Sequence, residues 1–501
     1  TSTDIPAAGL MAARRQPFSV IDVGSNSVRL VVFEGLIRSP LPIFNERELC
    51  GLGRGLAKTG RLSDEATQAA LVAIKRYVTL SRAMGAHDPE IVATAAVRDA
   101  ENGADFVAEV LAEVGIAVRV INGREEARLS SLGVLSGIPD ADGAMGDLGG
   151  GSLEIVALDK GQTGDGTTFP LGPLRLIASA SKSGPALSQM VDEALASATW
   201  LQAAQGRKFY AVGGTWRALA RIHQAQVNYP LRVVHHYELA AADLENFCNV
   251  VARLSADSLE RLEDVNAKRR QSLPIAALVM ARLLNLVKPA TVVFSAGGLR
   301  EGLVHDHLAQ NVREQNPLIE ACREYARHEG RFSEHGAELA AWMAPLFDGA
   351  DRHQSRLRLA ICLLSDTGWR MHPDYRADAA FRRVLYAPFT GLNHLERAFI
   401  ALAVYVRYAG ITEGKAVESA RTLIGDDEIE LARVIGLALR LGHAISGGTA
   451  GIVARGRLSI DRGPLTLTLT QQDSGLLGSA IDKRLAALAA ALNREYRIEI
   501  K

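Results

Sequence analysis

G-D-L-G-G-G-S-L-E-I-V, residues 146–156, sets three glycines between an aspartate and a serine, just before an apolar run that reads as a strand. Glycine tolerates a positive φ and carries no β-carbon, so successive backbone N–H groups can converge on an anion, and a serine adds a short donor. Taken alone, such a run is most often only a tight turn. Here the flanking acids Asp147 and Glu154 sharpen the reading. A carboxylate beside bound phosphate would repel it unless a cation intervened. Magnesium suits that place, because it takes oxygen ligands from one or two carboxylates plus substrate phosphates.

The stretch also has a twin. Set Asp22 on Asp147, an offset of 125 residues, and Gly24, Ser27 and Val31 fall on Gly149, Ser152 and Val156. In both copies an apolar strand, a turn and a second strand follow one another, the trace of two similar half-domains with a cleft between them. Asp22 joins Asp147 and Glu154 as a metal-side candidate. Gly24-Ser25-Asn26-Ser27 becomes the loop facing Gly149-Gly150-Gly151-Ser152. Two further strand-to-glycine junctions follow, Gly213-Gly214-Thr215 and Gly297-Gly298. No G-x-x-x-x-G-K-[ST] motif occurs. G-L-G-R-G-L at 51–56 lacks the third glycine of a dinucleotide fingerprint, and no strand clearly feeds it, so it reads as a decoy.

Around these motifs the first 305 residues alternate strand and helix patterns, with a helix expected over about 63–84 and another over 102–114. From about 310 to 450 long alanine- and leucine-rich amphipathic stretches take over. The last fifty residues read β-β-α-β. The expected domains are lobe I over 17–138, lobe II over 139–309, a helical domain over 310–450 and a small α+β cap over 451–501. With 56 basic and 56 acidic residues the chain has no global field, so no nucleic-acid partner is expected and any anion must be held by a local patch. Cys50, Cys248, Cys322 and Cys362 show no C-x-x-C spacing, and no run of eighteen apolar residues occurs. A cytoplasmic chain without a membrane span is the expectation.

I-D-V-G-S-N-S-V-R-L-V-V, V-A-T-A-A-V-R-D-A-E-N, I-N-G-R-E-E-A-R-L, G-D-L-G-G-G-S-L-E, A-V-G-G-T-W-R and S-A-G-G-L-R-E-G occur in that order. In this the chain resembles the exopolyphosphatase and guanosine pentaphosphate phosphohydrolase (Ppx/GppA) family, within the superfamily of sugar kinases, actin and heat-shock chaperones. The resemblance implies an α/β fold of two duplicated actin-like (ribonuclease H-like) lobes and an HD-like helical domain. It implies Glu126 as the base that activates water, Arg98 on a phosphate oxygen, and phosphate loops at Asp22–Ser27 and Gly149–Ser152. Asp147 and Glu154 would approach Mg²⁺, and Gly213, Gly214 and Thr215 sit where relatives in the superfamily hold adenosine. From the residues alone, Glu125 and Glu126 are both ordinary first-turn helix acids, and Glu125 can pair with Arg128 at i,i+3.

The implied activity is exopolyphosphatase, with inorganic polyphosphate as substrate and a homodimer as assembly. A guanosine pentaphosphate 5′-phosphohydrolase, which would bind guanosine tetra- or pentaphosphate, is the alternative. An actin-like kinase and a non-catalytic polyphosphate- or alarmone-binding regulator are more remote. Lys268, Arg269 and Arg270 form the densest basic run, either a polyphosphate path or a solvated helix face. Leu153 and Gln271 depart from the family's Thr and Asp. His305-Asp306, His372 and His394 are not expected to bind metal.

Overall fold

The computed structural model describes residues 15–178, 184–255, 258–259, 270–332, 334–460 and 463–501. Lys268 and Arg269 lie outside them. The chain divides into two compact units: everything up to Val227 together with Val234–Glu314, and Gln315–Lys501 together with the short stretch Asn228–Val233.

Two sheets build the first unit. β1 (Phe18–Val23), β2 (Val28–Phe33), β3 (Pro42–Glu48), β4 (Glu90–Ala93) and β5 (Val118–Val120) lie in the order β3-β2-β1-β4-β5, the first three antiparallel and the rest parallel. β6 (Gly143–Leu148), β7 (Leu153–Asp159), β8 (Gln162–Phe169), β9 (Lys208–Val212), β10 (Tyr237–Ala240) and β11 (Thr291–Phe294) lie in the order β8-β7-β6-β9-β11-β10. The second sheet repeats the plan of the first and adds β10 at its edge, the duplicated actin-like arrangement. Shifting Phe18–Val23 by the 125 residues separating Asp22 and Asp147 gives the bounds of β6. The hairpin registers agree too: Asp22 pairs with Arg29 across β1 and β2, and Asp147 with Glu154 across β6 and β7.

The Gly123–Gly137 helix lies between the sheets. Its Leu129 packs with Val20 and Val92 of the first and with Ile121 just beyond β5, while Ala127 and Val134 pack with Met145, Val156 and Val212 of the second. A neighbouring helix, Leu299–His307, crosses it at a distance only glycine permits. A β-carbon on Gly133 would stand 2.0 Å from the Gly298 carbonyl oxygen, and one on Gly302 only 1.8 Å from that of Leu129. The Gly297-Gly298 junction is therefore committed to this crossing.

The second unit is helical from Pro317–Glu329 to Asp426–Ser446, around a core that includes Leu318, Leu339, Phe381, Leu402 and Leu439. Leu231 of the inserted stretch belongs to that core. The fully buried Arg397 spends its guanidinium on the carbonyls of Leu385, Ala387 and Phe389, so its charge is a structural clamp. β12 (Gly456–Ile460), β13 (Leu465–Leu469), the helix Ser479–Ala491 and β14 (Tyr496–Ile500) complete the unit in the β-β-α-β order. No helix among the described residues is long and apolar enough to cross a membrane. His394 shares a hydrogen bond with the Tyr229 hydroxyl (3.0 Å), and His372 caps the Asp374 amide at the surface. His305 is buried, and its imidazole is pushed down to about 4 by burial and by Arg38 and Arg313.

Candidate active site

Asn122 caps the Gly123–Gly137 helix by accepting the Glu125 N–H, which fixes the first turn and separates its two glutamates. Glu125 turns outward to Arg119 and Arg128, and Arg128 continues to Asp306. Glu126 turns inward and is 9% exposed. Arg98 Nη1 donates both to Glu126 Oε2 (3.0 Å) and to the Ile121 carbonyl (3.1 Å). Asp99 steadies that arginine, accepting from its Nε at 3.2 Å and from Arg175 at 2.5 Å. Burial lifts the Glu126 carboxyl to about 7; Arg98 pulls it down, and the charges of Asp147 and Asp22 push it up.

Three more carboxylates share this field. Burial is the first cause of elevation in each of Asp22, Asp147 and Glu154. Asp147 also raises Asp22, and Glu126 and Asp147 also raise Glu154. Their partners differ. Asp147 accepts from the Ser130 hydroxyl at 2.7 Å. Asp22 faces Arg300, whose Nη1 stands 3.6 Å away, and feels Arg29 as well. Glu154 is 1% exposed, and its Oε1 has no hydrogen-bond partner. A buried carboxylate oxygen left unmatched beside other acids is costly, and a hard divalent cation would satisfy it.

The glycine loops meet, but not as a left-handed nest. Gly24, Gly149, Gly150 and Gly151 all lack a positive φ, contrary to the conformational argument from sequence. What they supply is the missing β-carbon. One on Gly150 would stand 3.2 Å from Ser25 Cβ, and one on Gly151 3.0 Å from Ser25 Oγ. Each loop closes on itself in the same way: the Gly24 amide donates to the Ser27 carbonyl (3.1 Å) and the Gly149 amide to that of Ser152 (3.0 Å). Gly213 does need its glycine, at φ 109° and with a β-carbon position 2.4 Å from the Leu148 carbonyl oxygen. It thereby brings Gly214 and Thr215, at the start of the Gly214–Gln226 helix, to the root of the Gly149 loop.

The G-L-G-R-G-L segment also reads differently in three dimensions. A strand does feed it, since β3 ends at Glu48. The amides of Gly51 and Gly53 then donate to the Asn26 and Ser25 carbonyls (3.1 and 2.7 Å), so this segment holds the Asp22–Ser27 loop from behind. A cavity of about 440 Å³ opens there, lined by Ser25, Gly53, Ala95, Asp99, Gly151 and Arg175 among others. The larger cavity, about 620 Å³ and floored by Leu357, Phe399 and Leu431, belongs to the second unit and includes none of the candidate residues.

Arg29, Arg300, Ser130 and Asp99 escaped the sequence reading. The signal for two of them was present. Arg29 stands at the repeat position of Glu154, and Arg300 lies in the S-A-G-G-L-R-E-G motif. Of the basic run only Arg270 is described, partly buried ahead of the Leu273–Val287 helix.

Comparison with known proteins agrees with this architecture. The model of the Ppx/GppA phosphatase family matches residues 30–311, and that of the exopolyphosphatase C-terminal region matches residues 318–498. Exopolyphosphatase 1 of Mycobacterium tuberculosis is 28% identical over 297 residues, covering 57% of this chain and 86% of the relative. Exopolyphosphatase 2 of the same organism is 30% identical over 284 residues, covering 53% and 89%. A crystal structure of an exopolyphosphatase from Cytophaga hutchinsonii shares the fold, with a TM-score of 0.53 at 23% identity, over 58% of this chain and 97% of that one.

Proposed function

The chain belongs to the Ppx/GppA phosphatase family, and from that membership we propose that it is an exopolyphosphatase, releasing orthophosphate from the ends of inorganic polyphosphate. One observation carries the mechanism: a buried glutamate, held by an arginine, whose carboxyl is poised near 7. A base in that range is ionised often enough to act and basic enough to take a proton from water. The attacking water bonds to the terminal phosphorus, its proton passes to Glu126, and the bridging P–O bond breaks with the shortened chain as leaving group. Arg98 sets the direction of the Glu126 carboxylate and offers its guanidinium to a phosphate oxygen. Gly24–Ser27 and Gly149–Ser152 form the jaws that position the terminal phosphates, with Gly213, Gly214 and Thr215 at their root.

Phosphoryl transfer depends mainly on positioning and charge neutralisation. Asp147 and Glu154, with Asp22 opposite, would hold Mg²⁺, and the unmatched Glu154 Oε1 fits that ion. Bound there, the metal would neutralise phosphate charge in the transition state. The names of the relatives and the match to the exopolyphosphatase C-terminal region favour polyphosphate over guanosine pentaphosphate. Phosphate release measured in parallel from both compounds tests the reading. A higher kcat/KM on polyphosphate is expected; a clear preference for guanosine pentaphosphate would move the substrate assignment while keeping Glu126 as base. Release from neither would end the proposal.

A further inference from the structure

The Gly123–Gly137 helix carries Ser130, Ser131 and Ser136, and two of these hydroxyls are spent locally. Ser131 donates to the Arg128 carbonyl (2.7 Å) and Ser136 to that of Gly133 (2.8 Å), each three residues back. Such back-bonding is the ordinary use of a serine inside a helix. Ser130 does otherwise. It is fully buried, and its hydroxyl leaves the helix altogether, donating to Asp147 Oδ2 at 2.7 Å.

Glu126, Ser130 and Gly133 follow one another at i, i+4 and i+7, so they share one stripe of the helix. That stripe carries the proposed base at one end and the crossing with Gly298 at the other. Gly298 lies against the same oxygen that Ser130 holds, since a β-carbon there would stand 3.7 Å from Asp147 Oδ2. A serine hydroxyl has one proton to give. Given to Oδ2, it leaves Oδ1 as the oxygen of Asp147 that accepts no hydrogen bond among the described residues. Asp22, at the same place in the first half of the repeat, is held differently: its neighbour is Arg300, with Nη1 3.6 Å away.

Resting on the reading of Asp147 as a Mg²⁺ ligand, we propose that Ser130 is a positioning residue that makes Asp147 offer the metal a single oxygen, Oδ1, and so makes the site prefer Mg²⁺ to Ca²⁺. The two ions differ in what they accept. Mg²⁺ demands near-ideal octahedral geometry, which the closely spaced oxygens of one carboxylate cannot supply together. Ca²⁺ takes more oxygens in a flexible arrangement and accepts both from one carboxylate. A carboxylate free to rotate therefore serves calcium, whereas one pinned through Oδ2 serves magnesium. Hydrogen bonds that orient a metal ligand in this way are worth about 10–100-fold in metal affinity.

Dissociation constants for Mg²⁺ and for Ca²⁺ test this, each read from the melting temperature of the chelator-stripped full chain as the metal is added. The variants are Ser130→Ala, Ser131→Ala and Asp147→Asn. In Ser130→Ala the Mg²⁺ constant should rise about 10–100-fold and the Ca²⁺ constant by less than about threefold, so that the preference for Mg²⁺ falls. Ser131→Ala, which removes an equally buried hydroxyl of the same helix, should bind both ions as the parent does. Alanine favours the helix, and circular dichroism will show that the variants are folded. A parent without preference for Mg²⁺, an unchanged Mg²⁺ constant in Ser130→Ala, or equal losses for both ions would overturn the proposal while leaving the metal site standing. A parent that neither ion stabilises, or an Asp147→Asn variant that binds Mg²⁺ as the parent does, would overturn the metal reading itself and this proposal with it.

Discussion

Replacing Glu126 by Gln is expected to make the protein more stable and nearly inactive at once, by an amount that depends on pH. Folding raises the carboxyl from its ordinary 4.5 to about 7, with burial as the first cause. Between those values the folded state holds the proton and the unfolded state releases it, so stability is lost as pH rises through the folded value. At about 1.4 kcal/mol per tenfold change in proton affinity, the penalty is about 3 kcal/mol at pH 8 and under about 1 kcal/mol at pH 5. Gln removes the ionisation and can still accept from Arg98. For a unit of about 300 residues, with an unfolding entropy of about 0.6 kcal/mol/K, the gain at pH 8 is about 5 °C. Calorimetry on chelator-treated protein at both pH values reads it. Phosphate release from polyphosphate should fall by about 10²–10⁴-fold in the same variant. An unfolding difference that does not grow from pH 5 to pH 8 would refute the electrostatic argument, and parental hydrolysis would refute the base assignment.

Asp99→Asn should leave folding intact but loosen Arg98, because it loses the carboxylate that joins Arg98 to Arg175; kcat should fall more than KM rises, and equal effects on both would argue against a positioning role. Gly213→Ala must fit a β-carbon 2.4 Å from the Leu148 oxygen at φ 109°, so a loss of about 2–4 kcal/mol in urea unfolding is expected, with Gly206→Ala, which meets nothing within 4 Å, as the comparison at another positive φ. Adding Mg²⁺ at about a hundred times its dissociation constant should stabilise the parent by about 2.7 kcal/mol in a thermal shift. Glu154→Gln should lose most of that gain while melting higher than the parent in chelator near neutral pH, since burial raises this carboxyl well above its ordinary value.

The duplicated hairpin was legible because it is local: β1 and β2, like β6 and β7, are joined by four residues, and turn chemistry at a fixed offset needs no tertiary information. Glu126 became distinguishable from Glu125 through family motifs, and the structure supplies the physical difference, since Asn122 sets a turn that sends one toward Arg128 and the other toward Arg98. Long-range partners were not legible. Arg300 reaches Asp22 across nearly 280 residues of sequence, a contact that no spacing rule encodes. The same limit hid the glycines' role: Gly150 and Gly151 are bare because Ser25 lies against them, not because their own φ demands it. It also hid the strand feeding G-L-G-R-G-L and the Asn228–Val233 stretch, which belongs to the second unit through packing that its own sequence does not announce.

The two halves of the repeat differ at one paired position, and that difference organises the site's charge. In the first half Asp22 faces Arg29 across the hairpin; in the second, Asp147 faces Glu154. Arg29 is itself pulled down to about 10 by burial and by Arg300, so the first half crowds cations as the second crowds acids. Neither arrangement is favourable in isolation, because buried like charges raise each other's cost. On the proposed reading, a phosphate chain with its cation would relieve both: phosphate oxygens would answer the arginines, and the metal would answer Asp147 and Glu154. An opposed pair of strained half-sites is what the proposed metal–phosphate substrate would require, and two merely structural hairpins would not. On the same reading the proposed base, Glu126, belongs on the helix between the sheets, where the charges of Asp22 and Asp147 both reach its carboxyl.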